Sequence, residues 1–422
     1  MARLRTAAMT CGQGCPLEGE AGGGVEDRGQ GYRGSATCGP DRLRDLTCCH
    51  RRFLVILRMA LDAKAITWGM DCERGLGCVG TGMADPAVVE PGGARGARGR
   101  MPAPAHAWLA RHRGELTGYC YRMLGSVFEA EDAVQETLLR AWDGYDRFDE
   151  TRGTLRAWLY AIATSICLDM LRGRQRRARP VDLGLAAHAG EPLGAPLPQD
   201  AWIEPIPDRA VLPAEGDPAE LAAQRDSIRL AFVAALQHLP PRQRAVLILR
   251  EVLCWKAAEV AQLLGITVVA VNSALQRARA TLAARGVNSA ARPRPLDSAQ
   301  QDLLARYAAA FERYDVDALV ALLHEDATMS MPPLGWWLGG RPQIHQALLG
   351  SGLPCKDSRL VPVAANGSPA FAQYTPTGPG GTLVPWALVV VEVADGRIAG
   401  WTSFLDAARL FPLFGLPLAP PP

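Results

Sequence analysis

The stretch KAAEVAQLLGITVVAVNSALQRARATL, residues 256–282, contains two apolar patterns of helical spacing that are separated by one glycine. In the first pattern, Val260 and Leu264 fall on one face of the predicted helix. Gly265 can adopt the left-handed conformation that ends a helix, and Thr267 suits the N-cap of the next one. The stretch therefore predicts a helix-turn-helix, a motif that lays its second helix in the major groove of DNA.

The second predicted helix buries Val271, Leu275 and Leu282 and turns its polar residues outward. Amide, hydroxyl and guanidinium groups near its start and middle suit base edges and phosphates. Such residues are also common on solvent faces, so a plain helical hairpin is the alternative. The candidate DNA-binding residues of this motif are Lys256, Thr267, Asn272, Ser273, Gln276 and Arg277.

Length and composition indicate several domains, since 422 residues with 48% hydrophobic content exceed the usual size of one. The net charge of +2 excludes no class of partner, so a sign of nucleic-acid binding must come from local clusters. No apolar run approaches the ~20 residues of a membrane-spanning helix. The N-terminus also lacks the pattern of a secretory signal. We therefore predict a cytoplasmic protein without membrane association.

Residues 1–100 differ in kind from the rest of the chain. They hold seven of the eleven cysteines and lack helical or strand periodicity over most of their length. We predict a disordered or non-native N-terminal extension and assign it no function. A zinc site is the alternative, but Cys11, Cys15 and the cluster at residues 48–50 lack paired C-x-x-C spacing. We predict no metal and no cofactor.

Two amphipathic helices are predicted between residues 106 and 148, where apolar residues recur at helical spacing. The second helix has an acidic outer face that includes Asp132, Gln135 and Glu136. An acidic face is often merely solvated, and that interpretation stands beside a role in binding.

A third predicted helix begins at residue 155 and leads into the densest basic cluster of the chain. Arginine forks suit phosphate oxygens, and aromatic rings can stack on exposed bases, a combination typical of sites that hold single-stranded DNA. The alternatives are that the arginines stabilise a helix C-terminus and that the aromatics belong to the core. The candidate residues are Trp158, Tyr160, Arg172, Arg174, Arg176 and Arg177.

Residues 180–217 are rich in Pro, Gly and Ala and predict a linker. Its many prolines make it stiffer and more extended than a Gly/Ser tether. We expect it to hold the domain at 101–179 apart from the domain at 218–290, which contains the helix-turn-helix.

Residues 298–415 have a different secondary-structure pattern from the helical regions before them. Helical spacing is followed by strand-like runs, and Asp395-Gly396 predicts a tight turn between the last two strands. This region is predicted as an α+β domain.

Three blocks of the sequence belong together: EDAVQETLLRAW at 131–142, LRAWLYAIATSICLDMLRGRQRR at 155–177 and LPPRQRAVLILREVLCWKAAEVAQLLGITVVAVNSALQRARATL at 239–282. In this order they resemble the extracytoplasmic-function (ECF) subfamily of bacterial RNA polymerase sigma factors. The resemblance implies that residues 101–179 grip core RNA polymerase, through Asp132, Gln135 and Glu136, and melt the minus-ten element. It also implies that residues 218–290 read the minus-thirty-five element and that the linker threads polymerase channels.

The C-terminal region resembles SnoaL-like domains of the nuclear-transport-factor-two superfamily, on YAAAFERYDVDALVALLHEDATMSMPP, GRPQIHQALL and the final hairpin. The resemblance implies a cone-shaped sheet with an apolar pocket, here with Met331, Trp337, Phe371 and Trp401 as candidate lining. Enzymes of this superfamily use an Asp or His as acid or base. No convincing pair stands out among His324, Asp326, His345 and Asp406, so we predict no catalytic residue and no enzyme.

The sequence as a whole predicts a multidomain protein, in which two all-α sigma domains, a helical bundle and a helix-turn-helix, precede an α+β cone. The predicted function is to bind core RNA polymerase and promoter DNA and to direct DNA melting and transcription initiation. The SnoaL-like domain is predicted to regulate, through a small apolar ligand or an intramolecular contact. The alternative is an enzyme or ligand sensor of the SnoaL-like class fused to a DNA-binding helix-turn-helix.

Overall fold

The computed structural model describes residues 111–151, 153–284, 298–350, 352, 355–378 and 380–420. The predicted N-terminal extension and its candidate zinc ligands lie outside the described residues. The fold below begins at the first predicted helical domain.

The first domain is a bundle of three helices, which confirms the predicted helices of this region. They are α1 (Arg113–Leu124), α2 (Val127–Gly144) and α3 (Leu155–Met170). The Ser126 side chain caps α2 by accepting from the Glu129 amide at 3.2 Å, and Thr154 caps α3 in the same way. Fully buried side chains such as Leu116 and Leu159 fill the space between the helices.

The second domain contains the predicted helix-turn-helix. The linker before it contains the short helix α4 (Asp208–Val211). The helices of the domain itself are α5 (Pro218–Asp226), α6 (Leu230–Gln237), α7 (Pro241–Leu247), α8 (Ala257–Leu264) and α9 (Val268–Ala284), with a π-helical turn at Ile248–Val252. Gly265 ends α8 at φ 62°, and the Thr267 hydroxyl accepts from the Ala270 amide at 3.1 Å. Both features of the turn therefore follow the sequence prediction.

The third domain is α+β, as predicted, and has a single six-stranded sheet. Its elements are α10 (Ser298–Glu312), α11 (Val316–Ala321), β1 (Leu323–Ser330), β2 (Trp337–Gly339), α12 (Arg341–Leu349), β3 (Arg359–Ala365), β4 (Ser368–Pro376), β5 (Leu383–Ala394), β6 (Arg397–Phe404) and α13 (Ala407–Phe414). The strand order is β2-β1-β6-β5-β4-β3, with β1 and β6 parallel and the other pairs antiparallel. Asp395 and Gly396 form the predicted turn, both at positive φ.

Both faces of this sheet are buried. On β4, Phe371 enters a core with α10, α11 and α12, whereas Ala370 and Ala372 face a second core on the other side. That second core is shared with α13 and with the buried residues of both helical domains. The described part of the three domains is therefore held together by apolar packing as well as by the chain.

The linker differs from the expectation of an extended spacer. Trp202, Ile203 and Ile206 are each at most 3% exposed, and the segment makes β-bridges to the third domain at Leu334 and Ala365. The apolar residues between the prolines gain burial, which outweighs the stiffness that the prolines add. The two helical domains consequently pack directly on each other, α1 against α6 and α7, and α3 against α7 and α8.

Candidate polymerase and nucleic-acid interfaces

The acidic face of α2 is available for binding. Asp132 and Gln135 are exposed, and Glu136 is partly exposed and pairs with Arg140 at 2.7 Å. Leu139 lies on the same face at helical spacing from Asp132 and is 60% exposed. Sequence reasoning missed Leu139, although an apolar residue seven positions after Asp132 on an otherwise polar face was the available signal. We name Asp132, Gln135, Glu136 and Leu139 the α2 face.

The two aromatic candidates for base stacking lie in different surroundings. Trp158 is half-buried, and its ring stacks on Phe148 with 5.1 Å between the centroids. Tyr160 is fully buried between Tyr119 and Trp255, with 5.1 Å to each ring. Burial raises the pKa of Tyr160. In this arrangement Tyr160 is a core residue that joins α3 to the helix-turn-helix domain, so a base-stacking role for it does not fit the structure.

The basic cluster divides in a similar way. Arg172, Arg174 and Arg176 are exposed, whereas Arg177 is 7% exposed. The Arg177 guanidinium donates to the carbonyls of Gln199 and Trp202 at 2.8 and 2.7 Å and pairs with Glu129 at 2.8 Å. Arg177 therefore ties the first domain to the linker in this arrangement. This differs from the prediction of a DNA contact because its donors are used internally.

The outer face of α9 displays the predicted polar residues. Asn272, Gln276 and Arg277 are exposed and Ser273 is partly buried, while Thr267 is exposed at the N-cap. Lys256, also exposed, precedes α8. Val269 adds a side chain that is 74% exposed beside them, and such a group suits the methyl group of thymine. The helix-turn-helix thus presents one continuous surface of polar and small apolar groups.

The four pocket candidates of the third domain do not share one environment. Phe371 and Trp401 are buried and pack on the ring of Tyr307, with centroids 5.6 and 5.9 Å away. Met331 is partly buried against the same core, whereas the Trp337 indole donates to the carbonyl of Gly184 in the linker at 3.1 Å. The structure brings Phe371 and Trp401 together and directs Trp337 toward the linker.

The acid–base candidates of the third domain lie near its surface. His345 pairs with Asp317 at 3.0 Å, and these side chains are 36% and 94% exposed. Asp406 pairs with Arg409 at 3.0 Å, and His324 and Asp326 are neighbours on β1. Among the residues described, no three His, Cys, Asp or Glu side chains come together as a candidate metal site. Within that same part of the chain, no single helix is long and apolar enough to span a membrane. Of the helices described, only α8 and α9 taken together reach that length and apolar content, and the two helices are bent by 101° relative to each other.

One turn of the third domain contacts both helical domains. Asn366 and Gly367 form the β3–β4 hairpin, both at positive φ. The Asn366 amide nitrogen donates to the Tyr121 hydroxyl at 2.6 Å and to the Ile228 carbonyl at 2.7 Å, and its oxygen accepts from the Ile206 amide at 3.0 Å. We name Asn366 with these three partners the Asn366 junction. It joins the first domain, the linker and the second domain.

Gly367 lets this hairpin approach its neighbours closely. A Cβ atom at this position would lie 2.5 Å from the carbonyl oxygen of Arg225. The Gly367 amide also donates to Asp208 at 2.7 Å. The Asn-Gly pair is a strong hairpin signal in the sequence, but its role at a domain junction depends on partners that are distant along the chain.

Comparison with known proteins follows this division of the chain. Family models match at residues 108–177 (Sigma-70 region 2), 229–282 (Sigma-70, region 4) and 304–401 (SnoaL-like domain). The ECF RNA polymerase sigma factor SigJ of Mycobacterium tuberculosis is 32% identical over 239 residues, which are 57% of this chain and 67% of the relative. A crystal structure of M. tuberculosis SigJ covers 74% of this chain and 99% of its own, at 24% identity and a TM-score of 0.49.

The ECF RNA polymerase sigma factor SigG of M. tuberculosis matches over more of the chain. It is 48% identical over 331 residues, which are 76% of this chain and 87% of the relative. The three family regions coincide, in the same order along the chain, with the helical bundle, the helix-turn-helix and the six-stranded sheet. The chain therefore belongs to the ECF RNA polymerase sigma factors and has a C-terminal SnoaL-like domain.

Proposed function

We propose how the three domains share the work of this sigma factor. The chain binds bacterial core RNA polymerase and promoter DNA and directs transcription initiation, the function of its family. The α2 face docks on polymerase, and the exposed arginines Arg172, Arg174 and Arg176 hold the minus-ten strand. The outer face of α9 reads the minus-thirty-five element. Such a protein works in the cytoplasm.

The SnoaL-like domain, in this proposal, regulates by holding the two sigma domains together, and it catalyses no reaction. The observation that carries this is the Asn366 junction, where one fully buried side chain bonds to the first domain, the linker and the second domain. Buried hydrogen bonds of this kind are costly to leave unmade. Separating the sigma domains therefore costs free energy that polymerase binding has to supply.

Helix α13 supports the same role from another side. The Arg409 guanidinium lies 4.0 Å from the ring centroid of Phe128 in α2, and Arg209 of α4 donates to the Phe414 carbonyl at 2.6 Å. Tyr374 of the sheet packs edge-on against Phe411 of α13, 5.2 Å between centroids. The domain thus contacts the start of the helix that carries the polymerase-binding face.

The test is run-off transcription with bacterial core RNA polymerase, using genomic promoter fragments and a limiting amount of the sigma factor. Asn366→Asp keeps the size of the side chain but removes both amide donors, so we expect several-fold more transcript than with the unmodified chain. Asp395→Asn is the matched control, because it changes the other Asx-Gly turn of the same sheet, which is exposed.

The possible outcomes separate the two parts of the proposal. Transcripts at defined start sites, raised by Asn366→Asp and unchanged by Asp395→Asn, support both. Equal or lower transcript with Asn366→Asp would overturn the restraining role of the SnoaL-like domain. Polymerase that is not bound by the unmodified chain would count against the proposed polymerase-binding face.

A further inference from the structure

A cavity of about 180 Å³ lies between the first domain and the second, beneath the basic cluster. Four guanidinium groups line it, together with two carboxylates and two amide side chains. These residues are Arg174, Arg176, Arg177, Arg244, Glu129, Asp200, Gln175 and Gln237. Four cations against two carboxylates leave a formal surplus of two positive charges, so the cavity favours an anion.

Arg244 is a buried cation in this cavity whose hydrogen-bond partners are neutral. It is 4% exposed, and its terminal nitrogens donate to the side-chain oxygen of Gln237 at 2.6 Å and to the carbonyls of Met123, Gln237 and Leu239. Its Nε has no partner within the described residues. Burial lowers the pKa of Arg244 to about 10. A guanidinium taken out of water without a carboxylate is costly, and a bound anion would offset that cost.

The other three arginines share little negative charge. Arg174 and Arg177 both pair with the single carboxylate of Glu129. The Nη1 of Arg176 lies 2.5 Å from the ring nitrogen Nδ1 of His238. Guanidinium groups bind phosphate through two parallel hydrogen bonds. Arg174 and Arg176 each make one such bond within the described residues, so both keep donors for an anion. Arg177 adds positive charge only, because its donors are used by Glu129, Gln199 and Trp202.

We propose that this cavity binds a phosphate group, held between Arg174 and Arg176 of the first domain and Arg244 of the second. Its volume is below the roughly 300 Å³ at which pockets for drug-sized ligands begin, which favours a small anion. The phosphate comes either from a small free anion or from the DNA backbone. Because both domains contribute ligands, occupancy stabilises the packing of one domain on the other.

The first experiment is calorimetric titration of the full chain with inorganic phosphate, at constant ionic strength in a buffer free of other multivalent anions. We expect saturable binding that Arg174→Gln weakens about tenfold, equivalent to about 1.4 kcal/mol. Asp200→Asn removes a repelling carboxylate and is expected to tighten binding several-fold. Arg242→Gln is the matched control, because Arg242 is exposed next to the cavity but does not line it.

A competition experiment identifies the source of the phosphate. A single-stranded oligodeoxynucleotide is titrated into the full chain with and without saturating inorganic phosphate. If DNA is the source, phosphate competes with the oligonucleotide and Arg174→Gln weakens both ligands. If a free anion is the source, the oligonucleotide binds equally well in both conditions.

Two results would overturn the proposal: no saturable phosphate binding by the unmodified chain, or an equal loss in Arg174→Gln and Arg242→Gln. Neither titration uses polymerase or a promoter. A failure to bind inorganic phosphate therefore leaves polymerase binding and promoter recognition untouched.

Discussion

Asn366 concentrates the contacts among the three domains into one side chain. It is fully buried at φ 55°, and its amide group uses both donors and its oxygen. Asparagine tolerates this left-handed conformation better than most residues, and only its side chain supplies a donor and an acceptor at this reach. Both the left-handed backbone and the three side-chain hydrogen bonds therefore favour asparagine at this position.

Replacing Asn366 with Ala should strongly destabilise the chain. The substitution leaves the buried Ile206 amide and Ile228 carbonyl unpaired, at a cost of about 1–3 kcal/mol each. Alanine in the left-handed region adds about 1 kcal/mol. We expect the free energy of unfolding, measured by urea titration, to fall by about 3 kcal/mol or more. Asn366→Gly should lose less stability, because glycine accepts the left-handed conformation. If Asn366→Ala lost no more stability than Asp395→Ala, the proposed role of the junction would be contradicted.

Asp226 makes stability depend on pH. Burial raises its pKa from 3.8 to about 6, although the charge of Arg229 opposes the shift. The folded chain therefore binds a proton at Asp226 more tightly than the unfolded chain does. This contribution favours the fold below pH 4 and is lost as the pH rises through about 6, where the buried carboxyl must ionise.

Asp226→Asn should accordingly stabilise the chain at pH 8 and have little effect at pH 4. A pKa of about 6 in place of 3.8, at about 1.4 kcal/mol for each tenfold difference in acidity, gives an expected gain of about 3 kcal/mol at pH 8. Urea titrations at both pH values measure it. Asp302→Asn, at an exposed position, is the control. A gain that is the same at both pH values would show that the carboxyl charge is not its cause.

At the scale of elements, α2 is the helix that the proposed function assigns to polymerase binding. Its inner face packs in the three-helix bundle. The α2 face lies on the opposite side and is not buried by internal contacts in the way that Arg177 and Tyr160 are. Asp132→Ala combined with Glu136→Ala should weaken binding to core polymerase at least tenfold while leaving DNA binding by the helix-turn-helix unchanged. Fluorescence anisotropy with core polymerase and with promoter DNA measures the two affinities. Glu150→Ala, exposed beyond the helix, is the control, and equal loss of both affinities would contradict the assignment.

In the proposed function, the outer face of helix α9 reads promoter DNA. Replacing Gln276 and Arg277 with Ala removes groups suited to base edges, at about 1–3 kcal/mol for each specific contact. We expect the preference for promoter over random DNA to fall at least tenfold, with polymerase affinity unchanged. Competition binding with the two DNA sequences measures the preference. Arg242→Ala is the control, and promoter preference that survives the double substitution would remove these residues from the reading surface.

The sequence predicted these elements well where a local signal exists. Helix periodicity gave the three-helix bundle, and Gly265 with Thr267 gave the helix-turn-helix turn. Helix α13 was missed, although Ala407, Leu410, Phe411 and Phe414 have helical spacing, because eight residues with an internal proline are a weak signal. The sequence left open whether Tyr160 belongs to the core or contacts DNA, and it did not predict the burial of Arg177, since their partners Trp255 and Glu129 are distant along the chain.

At the scale of the whole molecule, the domains were predictable but their packing was not. A prolyl linker indicates separated domains on composition alone, and only the structure shows that Trp202 and Ile206 are buried between them. The packing depends on single side chains that come from different parts of the chain. No local sequence pattern marks these residues, because they stabilise the fold only through contacts with residues that are distant in sequence.

The packing also predicts a change when polymerase binds. In the proposed function, the sigma domains separate when they engage polymerase and two promoter elements, and this breaks the Asn366 junction. We expect the amides of Ile206 and Gly367, bonded at 3.0 and 2.7 Å, to exchange hydrogen at least tenfold faster in the complex of the full chain with core polymerase. Mass spectrometry of peptides spanning 203–208 and 365–368 measures this, with 388–392 in the β5 ladder as the unchanged control. Unaltered exchange at the junction would mean that polymerase binds the compact form, which would contradict the proposal that the SnoaL-like domain restrains the sigma domains by holding them together.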